Sequence, residues 1–260
     1  MHADIASREI AQATTRMPIL MYHSLDDSGS VVSMAPRAFQ EQVACIHDLG
    51  LQGLSLRGAV SHRVATGEWP PRSVVLTFDD GFANFIDCAL PVLDRYGFTA
   101  TVFIVTGHMG GWNAWGAPSR LGRQPILTWD QAREAAAAGM EIGSHTQTHL
   151  NLSLVSLDRA DEEISVSRSE IEDRLGLSVT SFAYPFGATS EAIIDIVKRE
   201  FDAACTTVLK RASDEPLHAL PRVDMYYMKS LERFVLLLRG EMDHYLTIRR
   251  LGRGARKMFA

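Results

Sequence analysis

The chain has 260 residues, of which 46% are hydrophobic and 22% charged, and 26 basic against 31 acidic side chains give a formal net charge of −5. This composition is typical of a globular protein that can bury one large α/β core. The mild negative charge argues against a protein built on nucleic-acid phosphate contacts. No apolar run is long enough to span a bilayer, and three widely spaced cysteines without a Cys-x-x-Cys pair exclude a disulfide scaffold.

Short apolar segments alternate with helical patterns along the chain, each bounded by Gly, Pro, Asp or Asn. We predict strands at 18–22, 73–78, 99–105, 140–143, 179–184 and 203–208. We predict helices at 36–49, 82–96, 128–138, 156–175 and 189–201. Gly50 and Gly97 are stop signals for two of these helices, and Thr128 with Gln131 is a capping box for a third.

Strands that alternate with helices predict parallel strands with the helices outside them. Because there are six or seven such units and no Gly-x-Gly-x-x-Gly signature, the pattern favours a closed or nearly closed (β/α) barrel in a single domain. We predict an N-terminal extension at 1–17, the barrel at 18–228, and a helical segment with a basic tail at 229–260. The first sixteen residues lack an apolar segment, so no signal peptide and a cytoplasmic location are expected.

Polar residues fall where the predicted strands end, and in such barrels the working residues lie at those ends. His23 follows the first strand, Asp79 and Asp80 follow the second, and His145 and His149 follow the fourth. A long irregular segment, 106–127, follows the third strand; segments of this length are usually functional or mobile.

Two of these groups predict a metal site. His145 and His149 are four residues apart, a spacing that places two imidazoles on one face of a helical turn. Asp79-Asp80-Gly81 is a common turn sequence, but two close carboxylates also favour a cation beside them. Asp80, His145 and His149 together suit a catalytic zinc ion or a similar transition metal that keeps open positions.

At these residues the chain resembles a known family. Residues 77–81 (Thr-Phe-Asp-Asp-Gly) and 144–149 (Ser-His-Thr-Gln-Thr-His) are similar to the first two motifs of the polysaccharide deacetylases, carbohydrate esterase family 4. The resemblance runs from about residue 18 to residue 222 and implies a deformed (β/α) barrel and metal-dependent N-deacetylation of glycans. It implies that Asp79 is the general base and that Asp80, His145 and His149 hold the metal.

The third motif departs from the family pattern, because Ala183 stands where an arginine that braces the base is expected. Arg222, in Leu-Pro-Arg-Val, is a candidate replacement, although a surface arginine is the equal alternative. The match implies that the Phe186 backbone N–H helps to hold the oxyanion. Residues 21–24 (Met-Tyr-His-Ser) are similar to the poly-N-acetylglucosamine deacetylase branch, which implies that His23 is the general acid.

Aromatic side chains are candidates for sugar contact. Trp112 and Trp115 lie in the long segment after the third strand, and aromatic faces stack on sugar rings; tryptophans that anchor the loop in the core are the equal alternative. Tyr184 is expected to line the same cleft. The tail after Leu231 mixes apolar and basic residues, which indicates either a solvated end or attraction to anionic lipid headgroups and a lipid-linked sugar.

These features predict a hydrolase that removes N-acetyl groups from the amino sugars of a glycan or exopolysaccharide precursor. Its partner is an N-acetylated glycan, and no nucleic acid is expected. The cofactor is a divalent metal, with zinc preferred to cobalt, nickel or iron. The alternatives are a related C–N hydrolase for a formamido sugar or a cyclic amide, and a catalytically silent glycan-binding module. The sequence does not indicate an oligomeric state.

Overall fold

The computed structural model describes residues 16–115 and 121–258, with side chains as far as residue 252. Strands and helices alternate through these residues. The strands are β1 (Ile19–Tyr22), β2 (Ser24–Leu25), β3 (Ser33–Met34), β4 (Gln52–Leu54), β5 (Ser73–Phe78), β6 (Thr101–Ile104), β7 (Glu141–Ser144), β8 (Ser181–Ala183), β9 (Ala203–Leu209) and β10 (Leu220–Asp224). The helices are α1 (Pro36–Asp48), α2 (Leu56–Thr66), α3 (Leu90–Arg95), α4 (Trp129–Ala137), α5 (Leu157–Leu175), α6 (Glu191–Glu200), α7 (Leu231–Leu238) and α8 (Asp243–Met258).

Parallel strands close into a barrel with the helices around it. Neighbours around the ring follow the order β1, β10, β9, β8, β7, β6 and β5, and β5 pairs back with β1. β4 pairs with β5 outside the ring, and β2 and β3 form a separate ladder. The predicted α/β fold, a single (β/α) barrel domain, is confirmed.

Along each strand, side chains point alternately into the barrel and out toward the helices, so the buried apolar residues form an inner and an outer core. Inward side chains such as Val75, Phe103 and Ala183 pack together in the barrel, while their outward neighbours pack against the helices. Successive residues of a strand point to opposite faces, so each strand contributes to both cores. Helix α2 and Trp69 close the amino end of the barrel.

The sequence patterns missed β2 and β3, which have two residues each, and three further elements, each for a local reason. β4 has only three residues and contains Gly53, which has no side chain to pack against its neighbours. Helix α2 buries little more than one turn, at Leu56, Ala59 and Val60, so it lacks a long apolar stripe. β10 contains Pro221 and Arg222, residue types that argue against a buried strand.

The helix predicted at 82–96 is broken. Phe85–Ala89 forms wide π-type turns, and α3 begins only at Leu90, with Pro91 in its first turn. Proline has no backbone N–H and is tolerated in the first turn of a helix but not in its interior. The capping box at Thr128 and Gln131 is confirmed.

The predicted domain limits remain predictions, and most of the 1–17 extension lies outside the described residues. Within the residues that the structure describes, no helix is both long and apolar enough to cross a bilayer.

Candidate active site at the carboxyl end of the barrel

The carboxyl ends of the strands open on a cleft of about 220 Å³. Its polar wall comes from three strand ends: His23 after β1, Asp79 and Asp80 after β5, and His145 and His149 after β7. The remaining wall residues are mostly apolar, and they are Ser30, Val31, Val32, Phe82, Asn113, Trp115, Leu121, Phe186 and Thr207.

Asp80, His145 and His149 form a compact, buried group. The Asp80 Oδ1 atom is 3.4 Å from His145 Nε2 and 3.1 Å from His149 Nε2. One possible ligand atom from each residue lies within 4.8 Å of the other two. Burial works to raise the pKa of the Asp80 carboxyl, but the hydrogen bonds from both imidazoles outweigh it and hold this pKa well below its usual range.

His145 is oriented by its second ring nitrogen. Its Nδ1 atom is 2.7 Å from the Ala183 carbonyl oxygen. Because a carbonyl only accepts hydrogen bonds, Nδ1 carries a hydrogen, and Nε2 is the ring nitrogen that faces Asp80. This is the arrangement in which proteins present an imidazole to a metal.

Unusual backbone conformations concentrate at this site. Asp80, Thr146, His149 and Phe186 have φ values of 72°, 67°, 61° and 59°, in the left-handed region. A non-glycine residue in such a conformation costs about 1–3 kcal/mol, which the surrounding structure must offset. Such strain is typical of functional sites, and nothing in the sequence indicates it at these residues.

Arg222 is fully buried and contacts Asp79 with two nitrogens. Its Nη1 and Nη2 atoms donate to Asp79 Oδ1 at 2.6 Å and Oδ2 at 2.7 Å. Nη1 also donates to the Thr77 hydroxyl, and Nε donates to the Thr206 carbonyl oxygen. The arrangement is possible because β1 pairs with β10 on one side and with β5 on the other, which places Arg222 and Asp79 across one strand.

This contact determines the charge of Asp79. Burial works to raise the pKa of the Asp79 carboxyl, but the Arg222 guanidinium outweighs it and lowers this pKa below its usual value. Asp79 is therefore a carboxylate at neutral pH. The Nε2 atom of His23 lies 4.0 Å from Asp79 Oδ2, so the two groups face the same part of the cleft.

The two tryptophans of the long loop, Trp112 and Trp115, lie in different surroundings. Trp115 stacks on His149, with ring centroids 4.7 Å apart, and lines the cleft. Trp112 is 47% exposed, lies against Arg123, and is not part of the cleft wall among the described residues. The surrounding loop includes 116–120, which lie outside the described residues.

Tyr184 does not line the cleft, contrary to expectation. Its side chain is fully buried, and its hydroxyl donates to the His218 carbonyl oxygen at 3.0 Å. Ala183, the preceding residue, points into the barrel, so Tyr184 points outward and packs between the barrel and the helices.

Phe186 lies in a short 3₁₀ turn after β8. Its ring contacts the edge of His149 at a centroid distance of 4.8 Å, and its side chain is 47% exposed. The carbonyl oxygen of Phe186 accepts a hydrogen bond from Thr207.

The sequence patterns missed part of the cleft wall. Ser30, Val31 and Val32, between β2 and β3, and Leu121 carry no motif that indicates a site. They reach the cleft through tertiary packing, since Val32, Phe82 and Leu121 belong to one small apolar cluster.

The donor set fits a divalent metal. Two neutral imidazoles and one carboxylate are the ligands that catalytic zinc sites use, with positions left for water and substrate. The three donors are buried and close together, and His145 is oriented by a hydrogen bond outside the group. Asp80, His145 and His149 are therefore the residues that would hold the ion.

Comparison with known proteins agrees with this chemistry. Residues 66–200 match the family model of the polysaccharide deacetylases. The Bacillus subtilis protein YxkH is 29% identical over 80% of this chain and 71% of its own length. The poly-beta-1,6-N-acetyl-D-glucosamine N-deacetylase of Escherichia coli is 26% identical over 83% of this chain, which spans only 37% of that enzyme.

A solved structure supports the same relationship. The Streptococcus pyogenes deacetylase PplD, in complex with acetate, superimposes with a TM-score of 0.70 at 27% identity. The alignment covers 81% of this chain and 92% of that chain.

Proposed function

The chain belongs to the polysaccharide deacetylase family and is a deacetylase hydrolase, and from this premise we propose that it removes N-acetyl groups from amino sugars of an exopolysaccharide or its precursor in a metal-dependent reaction. The observation that carries the proposal is the buried group Asp80, His145 and His149 beside the Asp79 carboxylate in one cleft. The N-acetylated glycan as substrate is supported by the name of the Escherichia coli relative.

We assign the metal to Asp80, His145 and His149 and propose zinc, because this ligand set suits it. When bound, such an ion polarises the acetyl carbonyl and acidifies a water molecule. The chain supplies the remaining groups.

In the proposed reaction, Asp79 accepts the proton of the attacking water as the water oxygen bonds to the carbonyl carbon. Arg222 holds the Asp79 carboxylate in place, and the Phe186 N–H donates to the oxygen that becomes negative. The C–N bond then breaks, and His23 gives its proton to the departing nitrogen. The products are acetate and a free amino sugar.

The alternatives make different demands on the site. A related C–N hydrolase for a formamido sugar or cyclic amide would use the same groups, so only substrate choice separates it. A catalytically silent glycan-binding module has no use for a buried metal triad. Trp115 lines the cleft, and aromatic side chains pack well against sugar rings, which favours a sugar substrate.

Metal analysis of the purified protein, followed by acetate release from β-1,6-linked and β-1,4-linked N-acetylglucosamine oligomers, tests the proposal. We expect about one metal ion per chain and acetate release that a chelator abolishes. Bound metal with formate release from formamido sugars alone would favour the first alternative. Oligomer binding without metal or turnover would favour the second.

We also propose that helix α8 brings the enzyme to an anionic lipid surface, where a lipid-linked glycan would lie. Residues 244–258 contain five basic and no acidic side chains, although the whole chain is acidic. Ile248 and Leu251, one turn apart, are 55% and 67% exposed. Exposed apolar residues on a helix whose sequence is rich in arginine and lysine are typical of helices that lie in a membrane interface.

Sedimentation with phosphatidylglycerol and phosphatidylcholine vesicles tests this contact. We expect binding only to the anionic vesicles, weakened by salt, and lost when Ile248 and Leu251 are both changed to Ser. The matched control is Val64→Ser, which changes another exposed aliphatic residue, 69% exposed on α2. Equal binding by the double variant and the control would contradict the assignment to α8.

A further inference from the structure

The two imidazoles of the candidate metal group are held in different ways. His145 has a hydrogen bond from Nδ1 to the Ala183 carbonyl oxygen. The Nδ1 atom of His149 is buried and has no hydrogen-bond partner in the protein among the described residues. The direction of the His149 ring therefore depends on ring packing and on the backbone that carries it.

That backbone is itself in a conformation that needs support. His149 has a φ of 61°, and Thr146, three residues earlier, has a φ of 67°. The loop between them is bonded to its surroundings by Thr106 and Gly107, whose N–H groups donate to the carbonyl oxygens of Thr146 and Gln147. These bonds hold the start of the loop, and a different residue holds its end.

Glu163, on helix α5, holds the residue that precedes His149. Its side chain has no solvent exposure. Oε2 accepts a hydrogen bond from the Thr148 N–H at 2.8 Å, and Oε1 accepts one from the Thr148 hydroxyl at 2.7 Å. Arg159, one turn earlier on α5, donates to Oε1 as well, and the Glu163 carbonyl oxygen accepts from the Gln147 N–H.

Burying a carboxylate is unfavourable, because removing its charge from water costs several kcal/mol of free energy. An apolar side chain would fill the same space without that cost. The contribution of Glu163 therefore lies in its directional bonds, which go to Thr148 and to its ion-pair partner Arg159. They fix the peptide that leads into His149.

We propose that Glu163 is a positioning residue that sets the direction of the His149 imidazole and through it the metal affinity of the site. The inference rests on the proposed function in taking Asp80, His145 and His149 as the metal ligands. Supporting groups of metal ligands contribute about 10–100-fold to metal affinity in other proteins.

The experiment measures the zinc dissociation constant of full-length variants by competition with a chromophoric chelator, and the absorption spectrum of the cobalt(II) form. We expect Glu163→Ala to weaken zinc binding about 10-fold or more and to alter the cobalt spectrum. Glu163→Gln is expected to remain within about threefold of the wild type, because its amide can still accept from the Thr148 N–H and donate to the Thr148 hydroxyl. The Arg159 guanidinium, which would then meet an amide N–H, is partly exposed and can turn to solvent.

The matched control is Glu172→Ala. Glu172 lies on the same helix, pairs with Arg168 four residues earlier, and accepts the backbone N–H of Val179, yet it is not part of the cleft wall. It therefore reproduces the loss of an i,i+4 ion pair and a backbone contact without touching the metal group. We expect wild-type zinc affinity and an unchanged cobalt spectrum.

Wild-type affinity in Glu163→Ala, or an equal loss in Glu172→Ala, would overturn the inference while leaving the proposed function intact. A wild-type protein that binds no metal would instead overturn the proposed function. If Glu163→Ala does not fold, Thr148→Val removes only the hydroxyl bond and is expected to weaken zinc binding severalfold. Unchanged affinity in that variant would equally contradict the role of Glu163.

Discussion

At the scale of single residues, Arg222 and Asp79 form an ion pair with almost no solvent contact. The sequence left open whether Arg222 is a surface residue or a brace for Asp79, and the structure places it in the barrel interior on that carboxylate. Two parallel hydrogen bonds fix the plane of the Asp79 carboxylate as well as its position. Its role in the reaction remains a prediction.

Replacing Arg222 is expected to destabilise the folded protein. Arg222→Met leaves the Asp79 charge buried without a partner, and we expect a loss of about 3–5 kcal/mol in the free energy of unfolding, measured by urea denaturation. Arg168→Met, which breaks half-exposed pairs with Glu172 and Glu200 on the outer helices, is the control, with an expected loss of about 1 kcal/mol or less. Similar losses in both variants would argue against the buried pair as a major contribution.

Asp79→Asn separates catalysis from metal binding. We expect the variant to keep its zinc, because Asp79 is not in the ligand group, and to lose about 10²–10⁴-fold in kcat, because the amide cannot accept the proton of water. His149→Ala is expected to lose both metal and turnover. Deacetylation by Asp79→Asn at the wild-type rate would refute the assignment of the base.

At the scale of elements, a carboxylate at the start of helix α8 adds an ionic contact to the apolar packing of Leu246. Asp243 accepts hydrogen bonds from Arg211 at 2.9 Å through both oxygens and from Arg16 at 2.8 Å. Burial works to raise the pKa of Asp243, but the Arg211 hydrogen bonds and charge outweigh it and lower the pKa. One of the contacts that attach the helix therefore depends on ionisation.

The pH dependence of this contact follows from the direction of the shift. The unfolded pKa of an aspartate is about 4. A carboxyl whose pKa is lower in the folded state stabilises the fold at pH values above this unfolded pKa. That stabilisation is lost as the pH falls through the folded pKa. We expect Asp243→Asn to be less stable than the wild type at pH 6, and we expect this difference to shrink as the pH falls below about 4 and through the folded pKa of Asp243. Urea denaturation across this range is the measurement, and a constant difference would contradict the prediction.

At the scale of the whole molecule, the candidate metal group links distant parts of the barrel. Asp80 follows β5 and the two histidines follow β7, so an ion bound to all three joins strands that lie two apart in the ring. An ion held by these three residues would bind the folded chain more tightly than the unfolded one, so it would stabilise the fold by mass action.

Zinc should therefore raise the melting temperature. At a free zinc concentration of about 100 times the dissociation constant, the gain is about 2.7 kcal/mol, which corresponds to a rise of about 5–10 °C in Tm for a chain of this size. A chelator should reverse the rise, and His149→Ala should show none; differential scanning calorimetry makes both comparisons. A zinc-dependent rise that persists in His149→Ala would place the ion elsewhere.

The sequence alone determined the local features of this protein. Strand and helix periodicity, the capping box at Thr128, and the two short motifs that contain Asp80 and the pair His145 and His149 depend on residues that are close along the chain, so they are visible without a structure. From them the barrel fold and the candidate metal group could be predicted. The broken helix at 82–96 and the missed strand at Arg222 show where local patterns mislead.

Only the tertiary structure decided which of the more distant residues meet. Arg222 and Asp79 are 143 positions apart and meet because the ring of strands closes through β1. Tyr184 lies one position past an inward residue and so faces away from the cleft. Glu163 shows no signal in the sequence, since its carboxylate acts through bonds to a loop 15 positions earlier. Contacts of this kind depend on strand register and chain closure, which no short stretch of sequence contains.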